Sequence, residues 1–102
     1  GGNKELYKKL LIKFQRDHSD SAEEINERLN GGKLKEAERS AHTIKGAAGT
    51  LGAGELQKAA LNLEKGIKER KRDQYQGLLE NFEKSLNKVM NSLKNIDPVK
   101  LK

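Results

Sequence analysis

The sequence predicts an all-α protein: an antiparallel, up-down four-helix bundle with a short additional helix at its N-terminus. Its 102 residues include one proline and no cysteine, and Ala, Leu, Glu, Lys, Gln and Asn outnumber β-branched residues. That composition is typical of helical proteins. Apolar residues recur with a period of about 3.6 along most of the chain. The connections between the periodic segments are short, which favours neighbouring helices that run in opposite directions.

A polar break separates the first two predicted helices. The apolar stripe from Leu6 to Phe14 predicts a helix over about residues 3–17. Ser19 or Asp20 is expected to cap the second helix, whose first turn carries two glutamates that suit the positive end of the helix dipole.

Three longer helices are predicted after the second. The Asn-Gly-Gly sequence at 30–32 is expected to end the second helix. The third helix is expected over about 33–51 with Gly52 as its terminator, and two more over about 54–71 and 74–94. The side chains of these three helices expected in the core are Leu34, Ala37, Ala41, Ile44, Ala48, Leu51, Leu56, Ala60, Leu63, Ile67, Leu78, Leu79, Phe82, Leu86, Val89, Met90 and Leu93.

The chain length fits one domain with a modest core. We expect residues 3–97 to form it, with Gly-Gly at 1–2 as the remnant of a cleaved tag and 98–102 as a tail after the only proline. No apolar run approaches the roughly 18 residues of a membrane span. The absence of cysteine fits a reducing compartment, so we expect a cytoplasmic protein without direct membrane contact.

The net charge of +6 raises the question of nucleic-acid binding. Basic residues are spread along the chain and interleaved with glutamates, as in "EKGIKERKRD". The four aromatic residues, Tyr7, Phe14, Tyr75 and Phe82, have helical core spacing and do not form a basic stacking platform. A solvated, lysine-rich surface is the preferred interpretation, and no nucleic-acid partner is expected.

The segment around His42 departs from an ordinary helix. His42 follows the expected core position Ala41, and a rotation of about 100° per residue turns it outward from the buried seam. Lys45, Gly46 and Gly49 follow at i+3, i+4 and i+7 and share its face. Each glycine costs a helix interior about 1 kcal/mol relative to alanine, so two of them beside one histidine need an explanation.

Phosphoryl transfer between two proteins would explain this set. A neutral imidazole nitrogen is a nucleophile near neutral pH and can accept a phosphoryl group, whose charge the ammonium of Lys45 would offset. Gly46 and Gly49 would let another protein approach the helix backbone closely. Arg39, on the same face, is a candidate contact. The alternative is a surface histidine without function and glycines kept for tight helix packing.

Glu64 is a candidate for orienting His42. If the third and fourth helices form a hairpin around Gly52, Glu64 lies near the level of His42 and can accept a hydrogen bond from Nδ1–H, leaving Nε2 free. Gln57, nearer the turn, is the weaker candidate. The alternative for Glu64 is a surface acid paired with Lys68 at i+4.

No other constellation in the sequence indicates chemistry. His18 lies in the break between two helices without a Lys-Gly set and is expected to be a surface or helix-end residue. No compact set of carboxylates surrounds either histidine, so no metal site is expected. A Walker loop and a Ser-His-Asp arrangement are also missing from the sequence.

Residues 41–64, "AHTIKGAAGTLGAGELQKAALNLE", resemble the motif of histidine-containing phosphotransfer (HPt) domains, the four-helix modules of multistep His–Asp phosphorelays. The pattern of His42, Lys45, Gly46 and Gly49 is followed by a small-residue turn and an "A..LE" helix. The preceding segment is similar to the opening helices of the family, so the resemblance covers nearly the whole chain.

The resemblance implies that His42 is phosphorylated on Nε2 by the phospho-aspartate of a receiver domain and passes the group to the aspartate of another receiver. It implies that Lys45 stabilises the phosphoryl group and that Gly46 and Gly49 admit the receiver. Members of the family bind no ATP and the receiver supplies Mg²⁺, so no cofactor is expected on this chain. The expected partners are receiver domains of a hybrid kinase or response regulators. The domain is expected to be a monomer and to have been excised from a hybrid sensor histidine kinase.

Three alternative functions stay open. The sequence also leaves open whether the chain is part of an enzyme, a transferase. A helical adaptor would bind a receiver or kinase without being phosphorylated. A basic helical module would bind nucleic acid or an anionic membrane. The dimerisation helix of a sensor kinase fits less well, because Thr43-Ile44-Lys45 lacks the acidic neighbour and the proline of that family's histidine box.

Overall fold

Five α-helices make up nearly all of the described chain. The computed structural model describes the backbone of residues 2–94 and the side chains of residues 5–92. The helices are α1 (Gly2–His18), α2 (Ser21–Asn30), α3 (Leu34–Leu51), α4 (Gly54–Lys68) and α5 (Tyr75–Lys94), with a 3₁₀ turn (Arg72–Gln74) before α5. No strand occurs within residues 2–94. The predicted all-α class is therefore confirmed.

The first helix agrees with the predicted bounds of about 3–17, but it is not short. α1 is 17 residues long and exceeds α4, which has 15, so the expectation of a short N-terminal helix is wrong. The short helix is α2, with 10 residues. The apolar spacing before the polar break extends far enough for a full-length helix. Gly1, the side chain of Leu93 and the expected tail at 98–102 lie outside the described residues.

Left-handed residues end three of the helices. Gly32 and Gly52, with φ of 75° and 72°, follow α2 and α3, as the sequence predicts. The third is Arg70, with φ of 55°. The Lys71 N–H bonds the carbonyl of Gly66, and the Arg70 N–H bonds that of Ile67. These are the two bonds of a Schellman motif, and they explain why α4 ends at Lys68, before the predicted residue 71.

Asp20 occupies the N-cap position of α2, one of the two candidates from the sequence. Its side chain makes no capping hydrogen bond there. Two acids in the first turn of α2, Glu23 and Glu24, favour the start of the helix at this position because their negative charge suits the positive end of the helix dipole.

The core is a single apolar cluster to which all five helices contribute. The predicted α3 seam is buried throughout, apart from the half-buried Leu34 at its start. Leu6, at the start of the apolar stripe of α1, is 58% exposed and lies outside this core. The buried apolar residues are Leu11, Phe14, Ala22, Ile25, Ala37, Ala41, Ile44, Ala48, Leu51, Leu56, Ala59, Ala60, Leu63, Ile67, Phe82, Leu86 and Met90.

Polar contacts and close approaches hold the helices around α3 and α4. The Tyr7 hydroxyl donates to the carbonyl of Leu51 at 3.3 Å and joins α1 to the end of α3. The Arg28 guanidinium donates to the Ser40 hydroxyl and joins α2 to α3. A Cβ at the buried Gly66 would overlap Leu78, so α4 and α5 approach closely there. None of the helices in the described part of the chain is long and apolar enough to cross a membrane.

Candidate functional site

His42 faces solvent from the middle of α3. Its side chain is 64% exposed, whereas Ala41 is fully buried and Ile44 is 2% exposed. The small buried residues of the α3 seam fix the rotation of the helix against its neighbours. The imidazole consequently stands at the edge of the packed face, as the apolar spacing predicts.

One carboxylate joins His42 to Lys45. Glu64, on α4, places Oε2 2.7 Å from His42 Nδ1. Its other oxygen, Oε1, accepts a hydrogen bond from Lys45 Nζ at 2.8 Å. The Glu64 side chain is only 16% exposed and that of Lys45 26%, so water has limited access to this carboxylate. Glu64 therefore forms its ion pair with Lys45 and not with Lys68, the alternative partner considered from the sequence.

The charge state of Glu64 assigns the proton on the imidazole. Burial alone would raise the pKa of the Glu64 carboxyl, but the hydrogen bonds from Lys45 and His42 outweigh it, and the net pKa lies below its ordinary value of 4.5. An ionised carboxylate only accepts hydrogen bonds, so Nδ1 must be the donor. In neutral imidazole the lone pair is then on Nε2, the nitrogen that remains available for attack.

The two glycines beside His42 have different surroundings. Nothing lies within 4 Å of the point where a Cβ on Gly46 would sit, so the backbone there is open to an approaching molecule. A Cβ on Gly49 would lie 2.6 Å from Nε2 of Gln57. The space above Gly49 is therefore filled by a side chain of this protein. Gln57 lies over Gly49 and is not the residue that contacts His42.

A family comparison adds to this geometry. The model of the Hpt domain family matches residues 9–95 of the chain. The chain belongs to the Hpt domain family. No curated protein and no solved structure matches it. As an Hpt domain it takes part in histidine phosphotransfer within phosphorelay signalling, and domains of this family interact with receiver domains and response regulators.

Arg39 lies at the exposed surface of α3 in this Hpt domain. Its carbonyl accepts a hydrogen bond from the Thr43 hydroxyl at 3.0 Å. Within residues 5–92, its guanidinium makes no ion pair or side-chain hydrogen bond, so it is free to meet a partner.

Leu61 is a feature of the site that sequence reasoning missed. It is 46% exposed on α4, three residues before Glu64, and such residues share one helix face. Among the described large apolar residues, the others exposed to this degree are all on α1. The sequence did contain a signal, because Leu61 falls outside the stripe of Leu56, Ala60, Leu63 and Ile67 that the periodicity assigns to the core.

The second histidine of the Hpt domain belongs to the packing of α1. The His18 ring lies 5.0 Å from the ring of Phe14. Burial lowers the pKa of His18, and the nearby charges of Asp17 and Glu24 offset only part of that effect. His18 is therefore a helix-end residue, as expected, and has no lysine and glycine set beside it.

Proposed function

We propose that this Hpt domain accepts a phosphoryl group on Nε2 of His42 from the phospho-aspartate of a receiver domain and passes it to the aspartate of a response regulator. The observation that carries the proposal is the 2.7 Å contact between Glu64 Oε2 and His42 Nδ1. It holds the proton on Nδ1, so the nucleophilic lone pair is on Nε2 of a side chain that is 64% exposed.

The proposed transfer step is a nucleophilic displacement at phosphorus. The Nε2 lone pair forms the N–P bond while the P–O bond to the aspartate breaks, and the aspartate carboxylate leaves with that electron pair. The imidazole ring gains positive charge because Nδ1 keeps its proton, and the anionic Glu64 stabilises that charge. The receiver supplies Mg²⁺ for the phosphoryl oxygens. The reverse sequence passes the group to the next aspartate.

The docking face for the receiver is proposed to consist of Arg39, His42, Gly46, Gly49 and Leu61. A standard protein interface covers about 800 Å² on each partner, so a receiver centred on His42 also covers residues within one or two helical turns. Gly46 gives it access to bare backbone. Leu61 offers an apolar side chain, and Gly49 contributes through the Gln57 amide that lies over it.

The arrangement of the helices is proposed to be an antiparallel, up-down bundle formed by residues 3–97. Residue pairs between neighbouring helices support it. Between α3 and α4, His42 contacts Glu64 and Gly49 lies under Gln57, so residue numbers rise on one helix as they fall on the other. We place the domain in the cytoplasm as a monomer that meets receivers and no nucleic acid.

Phosphoryl transfer from a labelled receiver tests the proposed function. The domain is incubated with a receiver that carries a labelled phospho-aspartate, and the protein-bound label is treated with acid and with alkali. A bond on the Hpt domain that is stable to alkali and labile to acid supports phosphohistidine. Failure of every cognate receiver to label the domain would favour a non-phosphorylated adaptor instead.

A further inference from the structure

We propose that a groove between α2 and α5 is the docking site for a basic amphipathic helix of a second partner protein. The groove has a volume of about 700 Å³ and lies between α2 and the first half of α5. Its lining residues come from these two helices and the turn before α5, so it shares none with the His42 site. The inference goes beyond the proposed phosphotransfer and does not depend on it.

The apolar side chains in the groove are only partly covered. Leu29, Tyr75 and Leu79 line it and are half-buried against the core. The periodicity of α5 assigns Leu79 to the core, yet no residue from Tyr75 to Asn81 is buried, and Phe82 is the first that is. The first half of α5 therefore leaves apolar surface that a further side chain can cover.

The Tyr75 hydroxyl is a second sign that the groove is incomplete. Its oxygen is shielded from solvent and has no hydrogen-bond partner in the part of the chain that the structure describes. Most buried polar groups in folded proteins have such a partner, and a group that lacks one is costly. A polar group of a helix docked beside Tyr75 can supply the missing hydrogen bond.

The charges around the groove favour a cationic partner. Three glutamates line it, Glu23, Glu80 and Glu83, against one cation, Arg72. None of the three forms an ion pair with another described side chain, although the whole chain carries a net charge of +6. Exposed ion pairs are weak, so lysines or arginines of the partner would determine its selection, and apolar contact would supply most of the affinity.

The dimensions of the groove fit a helix about two turns long. Its lining residues run from Ala22 to Asn30 on α2 and from Tyr75 to Glu83 on α5, which at about 1.5 Å per residue is about 12 Å on each side. α2 and α5 bond their backbone groups within the helices, so the groove has no strand edge for an extended segment. An amphipathic helix can place apolar anchors on the half-buried side chains and lysines against the glutamates.

Peptide binding to the domain tests the proposal. The probe is a fluorescent peptide of about 15 residues, long enough to become helical when bound, with leucines along one face and lysines on both flanks. Two control peptides replace every lysine by glutamate or every leucine by serine. Titrations use wild type, Glu83→Lys and the matched control Glu5→Lys, since Glu5 is an exposed glutamate on α1 outside the groove. Amide ¹⁵N shifts locate the bound peptide.

We expect the leucine–lysine peptide to bind wild type and to shift the amides of Leu29 and Leu79. Glu83→Lys should raise its Kd roughly fivefold and Glu5→Lys less than about twofold. Both control peptides should bind wild type at least about tenfold more weakly than the probe. For the glutamate peptide, Glu83→Lys should lower the Kd, because it reverses the charge that the peptide meets.

Four results would overturn the proposal. They are no binding of the probe, equal binding of the probe and its serine control, equal Kd changes in Glu83→Lys and Glu5→Lys, and shifts centred on His42. Sedimentation equilibrium tests a second copy as the occupant: self-association of wild type that Glu83→Lys abolishes would assign the groove to that copy and also contradict the proposal.

A competition experiment separates this inference from the proposed function. Saturating probe should leave the labelling of His42 by a phosphorylated receiver unchanged, because the groove and the His42 site share no residue. Competition between probe and receiver would place the peptide on the receiver docking face and contradict the inference. If no receiver labels the domain while the peptide results hold, the proposed function fails and the groove remains a docking site.

Discussion

The Glu64 carboxylate contacts His42 Nδ1 at 2.7 Å, although the two residues are 22 positions apart in the sequence. α3 carries the proposed nucleophile and α4 carries the carboxylate that contacts it, so this pair forms only when the two helices are packed together. The buried alanines and leucines between the two helices therefore support the proposed chemistry by holding this register.

Replacing Gly46 should slow phosphoryl transfer without harming the fold. Gly46→Leu places a side chain where nothing now lies within 4 Å of the Cβ position, and leucine is a better helix former than glycine. We expect unchanged or slightly raised stability and a transfer rate lower by roughly tenfold or more, because small misplacements of reacting atoms are costly. Stopped-flow or label-transfer kinetics measures the rate.

Gly77 provides the matched control for Gly46. It lies in α5, and the space around its Cβ position is equally empty, yet it is outside the proposed docking face. Gly77→Leu should leave transfer at the wild-type rate. Equal rates for Gly46→Leu and wild type would count against the docking role of Gly46.

Leu61 should contribute to receiver affinity. Leu61→Ala removes apolar area that is exposed to solvent, so the fold should persist. The KM for the phosphorylated receiver should rise about fivefold, which is the effect expected when a side chain of moderate importance to an interface is truncated. Leu6→Ala is the control, because Leu6 is also exposed, at 58%, but is on α1 and outside the proposed docking face. Its neighbour Tyr7 contacts Leu51 at the C-terminal end of α3, nine residues after His42. A KM that rises equally in both variants would show that Leu61 has no specific role.

Stability should fall as the solution becomes more acidic, with one decline that begins near pH 6.5 and another that begins near pH 4.5. Burial lowers the pKa of His18 below 6.5, so the folded state binds fewer protons than the unfolded state, and stability is lost as pH falls below that value. The lowered pKa of Glu64 has the same sign, and its contribution is lost as pH falls below 4.5 through the folded-state value.

Urea unfolding across a pH series measures both contributions. His18→Gln should flatten the decline that begins near pH 6.5, and Glu64→Gln should flatten the decline below pH 4.5. The two declines begin at different pH values, so each substitution serves as the control for the other. Stability that increases on acidification through either range would contradict the assigned sign.

Arg70→Gly should stabilise the domain. Arg70 holds a left-handed conformation with φ of 55° at the end of α4, and this conformation costs residues other than glycine roughly 1–2 kcal/mol. After the greater flexibility of glycine in the unfolded chain is subtracted, we expect a gain of about 0.5–1 kcal/mol in the free energy of unfolding. Gly52→Ala, at φ of 72°, should produce a loss instead. A destabilised Arg70→Gly variant would show that the arginine side chain matters more than its backbone.

Local periodicity accounts for the part of the fold that the sequence predicts well. The spacing from Ala37 to Leu51 determines which face of α3 is buried, and this face alone places His42 outward. Gly32 and Gly52 end their helices where a left-handed residue is needed. Counting residues on either side of Gly52 also brought Glu64 close to the level of His42, because both helices have the same rise per residue.

The remaining features depend on packing that periodicity does not contain. Side-chain length and rotamer place Gln57 over Gly49 and Lys45 on Glu64, and neither contact follows from residue spacing. Arg70 adopts a left-handed conformation that glycine usually occupies, so the residue type at this position does not predict the end of α4. Leu61 lies outside the core stripe that the sequence predicts for α4, but the position of its exposed face beside His42 depends on how α4 packs against α3.

The identity of the phosphorylated residue is the most direct test of the proposed function. Wild type, His42→Gln and His18→Gln are incubated with the same phosphorylated receiver, and the acid-labile label is quantified and mapped by mass spectrometry under alkaline conditions. We predict equal labelling of wild type and His18→Gln, with the label on His42, and none in His42→Gln. Labelling of His42→Gln at the wild-type level would contradict the assignment of His42 as the phosphoryl acceptor.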